Sequence, residues 1–277
     1  MIVWHQGALR PIEAVRIDPT DRGFLLADGC FETMRARDGR ILRLDRHWAR
    51  LARGAAELGI PLPLDPTALA TAARELLLAN GLARGEAALR LTLSRGPGPR
   101  GLLPPEEPVP NLLLVAFPPP EPVPPARAIL VRRVRRNELS LTSRIKSLAY
   151  LDSILALREA HAAGGDEALL ANTAGRLACA SAANLFVVIE GRIWTPSVEE
   201  GALPGVTRTV LLERARAAGL PVVEAQLPRH LLAHATEVFT TNALRGVRSI
   251  ASLDGRNLPE SCPGPLTCRV RELLEEE

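Results

Sequence analysis

The spacing of apolar positions cuts the chain into short elements. "MIVWHQGALRPIEAVRID" alternates and reads as a hairpin turning at Gln6-Gly7. "LDRHWARLARGAAELGI" brings Trp48, Leu51 and Leu58 near one face, which predicts a helix with Asp45 as its N-cap. "DPTALATAARELLLANGL" predicts a second helix, opened by Asp65-Pro66 and closed near Asn80-Gly81. "EAALRLTLSRG" and "NLLLVAF" read as strands. The "RGPGPRGLLPPEEPVP" between them is too rich in Gly and Pro to be anything but loop.

In "FPPPEPVPPA", residues 117–126, six of ten residues are proline, a stiff connector and the best domain boundary in the chain. The expected division is residues 1–116, this connector, and residues 127–277. Beyond it the pattern predicts a strand ("RAILVRRV"), a helix ("SLAYLDSILALREAHAAGG"), a strand pair ("DEALLANTAGRLACAS") and a hairpin around Glu190-Gly191. A helix from Gly205 to Ala218, another near Pro228 to Ala235, the strand "EVFTTNAL" and a final amphipathic helix complete it. The fold class is α/β, with α and β mixed, in two domains of which the second is strand-rich.

Composition narrows the function. With 277 residues, 47% hydrophobic and 23% charged, the chain has globular values. Its net charge of +3 comes without a basic block, so no nucleic-acid partner is expected. No apolar run approaches the roughly 18 residues of a membrane span, and the start is not a signal peptide, so the expected location is cytoplasmic. Cys30, Cys179, Cys262 and Cys268 form no C-x-x-C pair, so no metal site is expected. "GPGPRG" superficially suits phosphates, but proline fills it and no dinucleotide-binding context surrounds it.

Among 34 basic residues Lys146 is the one lysine. Arginine is never deprotonated in proteins, whereas a lysine amine can be made neutral and nucleophilic. Composition alone leaves chance and a retained function equally open.

Three segments change that balance: "DRGFLLADGCFETMR" (21–35), "RIKSLAYLDSILA" (144–156) and "ASAANLFVVIEGRIWTPSVEEGALPGVTR" (180–208). Together, and in this order, they resemble the class IV, or fold type IV, pyridoxal-phosphate enzymes, which include branched-chain and D-amino-acid aminotransferases and aminodeoxychorismate lyases. The resemblance implies a smaller N-terminal α/β domain and a larger C-terminal pseudo-barrel domain carrying the cofactor lysine. It implies pyridoxal 5'-phosphate as cofactor, with Lys146 holding it and then moving protons at the substrate carbon. It assigns the phosphate to Arg50, to Val206 and Thr207 at a helix N-terminus, and to Asn242 and Ala243 opposite. Without it, Thr207 reads as an ordinary cap and Arg50 as a solvated charge.

One position departs from the family. A glutamate usually pairs with the pyridine nitrogen five residues before the Asn of this motif; here that position is Cys179. A neutral thiol is a weak partner, so a weaker electron sink is expected. "SRGPGPRG" (94–101) is similar to a lyase loop, in which Arg100 would grip a substrate carboxylate; Arg95 is the alternative loop-fixing arginine. Phe31 stands where D-amino-acid aminotransferases carry tyrosine, and Glu32 is a candidate to orient Lys146. The resemblance further implies a homodimer with the site near its interface, acting on a small amino substrate with a carboxylate. These features favour aminodeoxychorismate lyase, giving p-aminobenzoate and pyruvate. An aminotransferase acting on D-amino acids, branched-chain amino acids or related amines is the alternative, and a cofactor-binding homologue with little turnover is the second.

Overall fold

Gln6 and Gly7 both adopt positive φ, 49° and 88°, the turn that matches the twist of paired strands. They join β1 (Ile2–His5) to β2 (Ala8–Pro11). The structure, a computed structural model, describes residues 1–259 and 262–275. It divides into one unit of Met1–Glu121 with Ile145–Ala149, and a second of Pro122–Arg144 with Tyr150–Glu277.

The first unit continues with α1 (Arg22–Leu26), β3 (Gly29–Arg37), β4 (Arg40–Ile41), α2 (Leu44–Leu58), α3 (Pro66–Ala79), β5 (Glu86–Ser94) and β6 (Asn111–Phe117). Its six strands form an antiparallel sheet in the order β2-β1-β6-β5-β3-β4. The two-residue period sends Met34, Ala36, Leu89, Leu91 and Leu114 to one face, where Leu51, Leu69 and Leu76 of the helices cover them. Phe31, Thr33 and Arg90 take the alternate positions. Asp65 caps α3 as expected, accepting from the Ala68 N–H at 2.8 Å. Asp45 does not cap α2. Arg43, with φ of 57°, precedes the helix, and Asp45 lies in its first turn, where a carboxylate still favours the dipole.

The second unit contains β7 (Ala126–Leu130), α4 (Leu151–Ala162), β8 (Glu167–Ala171), β9 (Leu177–Ala180), β10 (Asn184–Ile189), β11 (Arg192–Pro196), α5 (Val206–Ala217), β12 (Val222–Ala225), β13 (Glu237–Asn242), β14 (Gly246–Leu253), β15 (Arg256–Asn257) and α6 (Pro265–Glu275). The helix expected near Pro228 is a 3-10 stretch, Arg229–His234. The strand order is β12-β11-β10-β13-β14-β7-β8-β9, with β15 on β14. Three residues link β9 to β10, although they end a six-strand path through β13, β14, β7 and β8. So short a link spans only about 10 Å. The path therefore curls round on itself, as a pseudo-barrel.

The pattern "SLAYLDSILALREAHAAGG" predicts one helix, but α4 begins only at Leu151. The residues before it run beside β3 instead. The Phe31 N–H donates to the Lys146 carbonyl at 2.9 Å, and the Leu148 N–H to the Gly29 carbonyl at 3.0 Å. β4 covers only the far end of β3, at Ala36 and Arg37, so this end has backbone groups to satisfy. Lys146 thus groups with the first unit, although it follows the connector and was expected in the second. Gly29 makes the approach possible. A Cβ there would overlap the Leu93 carbonyl and lie 2.8 Å from Leu148 Cδ1. Gly29→Ala is expected to cost about 1–3 kcal/mol, the usual penalty of overpacking, read as a lowered denaturant midpoint.

Candidate active site

Lys146 is half-buried, and its Nζ lies 4.3 Å from the centroid of the Phe31 ring. The Arg90 guanidinium carbon lies 3.9 Å from the same centroid. Thr33 pairs with Arg90 across β3 and β5, so alternation puts Phe31 and Arg90 on one face. Arg90 is a residue that sequence reasoning missed. The signal was there, because Arg90 has the same parity in its strand as Thr92, the cross-strand partner of Phe31.

Glu32 points the other way and does not orient Lys146. It is 1% exposed and faces α2. It accepts from Arg50 Nε and Nη2, each at 2.7 Å, and lies 2.7 Å from His47 Nδ1. Burial alone would raise its pKa. The hydrogen bonds and charges of Arg50 and His47 outweigh burial and hold it below the usual carboxylate range. The bidentate grip fixes the plane of Arg50, itself 8% exposed. Arg50 is therefore no solvated surface charge. His47 joins it from three residues earlier, on the same helix face.

In the second unit Gly205 precedes α5 and offers no side-chain cap. Val206 and Thr207 open the helix and are buried, so their N–H groups stand at its positive end. Asn184 on β10 braces this approach. Its Nδ2 donates to the Leu203 carbonyl at 2.8 Å, and its Oδ1 fills the space a Cβ on Gly205 would need. Thr241 lies across the ladder from Asn184, and its buried hydroxyl has no partner among the described residues. Asn242 and Ala243 end β13 and begin its turn to β14. The Asn242 side-chain Oδ1 accepts from the N–H groups of Leu244 and Arg245, at 3.1 and 2.9 Å, shaping that turn.

Cys179 lies half-buried on β9, opposite Leu170. Burial and the Glu167 charge push its thiol up, against the opposing pull of Arg136, so it stays neutral near pH 7. Arg100 is exposed in its loop. Arg95 is the loop-fixing arginine: it pairs with Asp28 at 2.7 Å and donates to the carbonyls of Leu58 and Gly59. The donor set fits a phosphorylated aldehyde cofactor. The first unit supplies an amine and a buried arginine; the second, taken by itself, supplies a helix N-terminus without a side-chain cap and a buried hydroxyl without a partner among the described residues. At Cys179, where the resemblance places the partner of the ring nitrogen, the side chain is a thiol and not a carboxylate.

Known proteins resemble this chain over nearly its whole length. The family model for amino-transferase class IV matches residues 29–253. The chain is 33% identical to a putative branched-chain-amino-acid aminotransferase of Methanocaldococcus jannaschii, covering 100% of this chain and 96% of that one. It is 30% identical to a D-alanine aminotransferase of Bacillus licheniformis, over 99% and 96%. A solved putative 4-amino-4-deoxychorismate lyase of Legionella pneumophila is 30% identical and superposes with a TM-score of 0.89, over 96% of each chain. By this family match and these relatives, the chain belongs to the class IV aminotransferases, a family of pyridoxal-phosphate enzymes.

Proposed function

We propose that this chain is an aminotransferase for a small amino acid, with Lys146 holding pyridoxal phosphate and moving protons at the amine-bearing carbon. The supporting observation is the shared ring: Lys146 and Arg90 both face Phe31. In an α-amino acid the carboxylate is one bond from the carbon that Lys146 would deprotonate. A guanidinium so close to the lysine suits that carboxylate. Arg100, on its exposed loop, is a second binder of substrate carboxylate, and Phe31 forms the floor beneath the reacting carbon. When bound, the cofactor supplies the electron sink for the carbanion.

In the first unit Arg50 is the candidate phosphate ligand; in the second the candidates are the N–H groups of Val206 and Thr207, the Thr207 hydroxyl and the turn at Asn242 and Ala243. Glu32 orients Arg50 rather than meeting substrate. A homodimer belongs to the same reading; Leu102 and Leu103, 83% and 85% exposed, are apolar surface that a second copy would cover.

A second reading is the lyase, in which the substrate loses pyruvate and its ring becomes aromatic. Cys179 favours it, because aromatisation asks less of the electron sink than transamination does. The two readings part on one assay. Purified protein should show a visible cofactor band that Lys146→Ala lacks, and Lys146→Ala should lose at least the roughly 10²–10⁴-fold owed to proton transfer. Bleaching of the band by D-alanine or a branched-chain amino acid supports the aminotransferase. A persistent band with pyruvate release from 4-amino-4-deoxychorismate supports the lyase. A colourless protein that takes up no cofactor overturns both. Cys179→Glu should shift the band and speed amine transfer; an unchanged spectrum would detach Cys179 from the cofactor.

Glu32→Gln keeps the shape and removes the charge. Breaking such a buried pair costs about 3–5 kcal/mol. The folded pKa of Glu32 lies below the 4.5 of an unperturbed glutamate. Its contribution is therefore complete above that value and disappears as pH falls through the folded pKa. Urea titrations from pH 7 downward should show a large deficit for the variant that narrows in acid. A constant deficit would contradict the assignment.

A further inference from the structure

Two of the three charged residues in the motif "DRGFLLADG", Arg22 and Asp28, pair with each other and are not used by the reaction. Arg22 is 4% exposed. Its Nε donates to Asp28 Oδ2 at 2.8 Å. Its Nη1 donates to the carbonyls of Gly101 and Leu103, at 2.9 and 3.4 Å, and its Nη2 to that of Leu102 at 2.7 Å. Three successive carbonyls of the "SRGPGPRG" loop and its sequel thus converge on one guanidinium. Its backbone N–H also donates to the Gly96 carbonyl at 2.9 Å. A Cβ on Gly98 would lie 2.7 Å from Arg22 Cδ and 3.4 Å from Pro105 Cδ, so the loop folds over the arginine stem.

Within the chain the loop is otherwise tied at its start, where Pro97 bridges Asp21 and the Gly98 N–H donates to the Thr20 carbonyl at 3.3 Å. Leu102 and Leu103 point to solvent, so side-chain burial does not set its shape. Asp28 anchors the clasp at the other end, because it also pairs with Arg95, whose guanidinium caps α2. The pair of arginines holds Asp28 in its charged form: burial raises its pKa, but hydrogen bonds and charge from Arg95 and Arg22 outweigh it.

We infer that Arg22 is a positioning residue that holds residues 98–105 in one shape and thereby presents Arg100 to the substrate carboxylate. The inference rests on the reading of Arg100 given above. A lysine would not substitute, since a single ammonium cannot meet Asp28 and three carbonyls in a planar fork.

The test uses full-length, cofactor-loaded protein and four variants: Arg22→Met, Arg22→Lys, Gly98→Ala and Arg100→Ala. Two quantities are read: steady-state kinetics with the amino acid that bleaches the cofactor band, or with the lyase substrate if none does, and the rate of tryptic cleavage at Arg100-Gly101 by mass spectrometry. Arg22→Met and Arg22→Lys should both raise KM about tenfold, the scale of one lost hydrogen bond to a charged group, with kcat and cofactor band little changed. Both should be cut faster at Arg100-Gly101. Gly98→Ala, which pushes the loop from the clasp and leaves the ion pairs intact, should move both readouts the same way and decides the matter if Arg22→Met fails to fold. Unchanged cleavage in a folded Arg22 variant overturns the clasp. Faster cleavage with unchanged KM, while Arg100→Ala raises KM, overturns the positioning role. If Arg100→Ala itself leaves KM unchanged, the reading of Arg100 falls, and with it the presentation of Arg100 by Arg22.

Discussion

The chemistry of the first unit depends on a strip of backbone pairing. The edge of β3 at Gly29–Phe31 takes up the segment that carries Lys146, through the N–H groups of Phe31 and Leu148. An amine on a flexible four-carbon stem is a poor catalyst unless its base is fixed, since productive geometry has to be held before reaction. Here the base is fixed by the groups that hold sheets together. The same two hydrogen bonds bring the lysine back to the unit from which its sequence position had separated it. Gly54 on α2 adds to this, because a Cβ there would lie 3.1 Å from Ile145 Cγ2.

Strand alternation then divides the labour of β3. Phe31 goes to the lysine's face and Glu32 to the helix face, one residue apart. A buried glutamate in an otherwise apolar layer would be costly without partners. It has two, His47 and Arg50, so the layer that packs the unit also orients a guanidinium. The polar residue in the core is thus the link between packing and the proposed phosphate contact.

Much of this was legible in the chain. The hairpin at Gln6-Gly7, the Asp65 cap and the strands flanking the proline-rich loop followed from local rules. Lys146, Arg50 and Thr207 were named through the family resemblance, since local rules alone read Arg50 as a solvated charge and Thr207 as an ordinary cap. The alternation that separates Glu32 from Phe31 could also be read in "GCFETMR", and reading Glu32 as a partner of Lys146 neglected it. The strip at 145–149 was not legible, because its apolar spacing matches the helix that follows and only a long-range partner distinguishes them. The same holds for Asn184 and Thr241, which meet through strand register.

The abundance of arginine bears on the opening asymmetry. Arg22, Arg50 and Arg95 are each buried: Glu32 grips Arg50 and Asp28 grips Arg95 in a fork, while Arg22 gives its Nε to Asp28 and its other donors to backbone carbonyls. Those positions exploit planarity, permanent charge and several donors at once, which an ammonium does not offer. Phe31, which both Arg90 and Lys146 approach, is a different environment: an apolar ring that leaves the amine's donors to other partners. In the role proposed for it, Lys146 has to lose and regain a proton, which a guanidinium does not do. That contrast gives a physical reason for a lysine at 146 in a chain where arginine serves every other basic position.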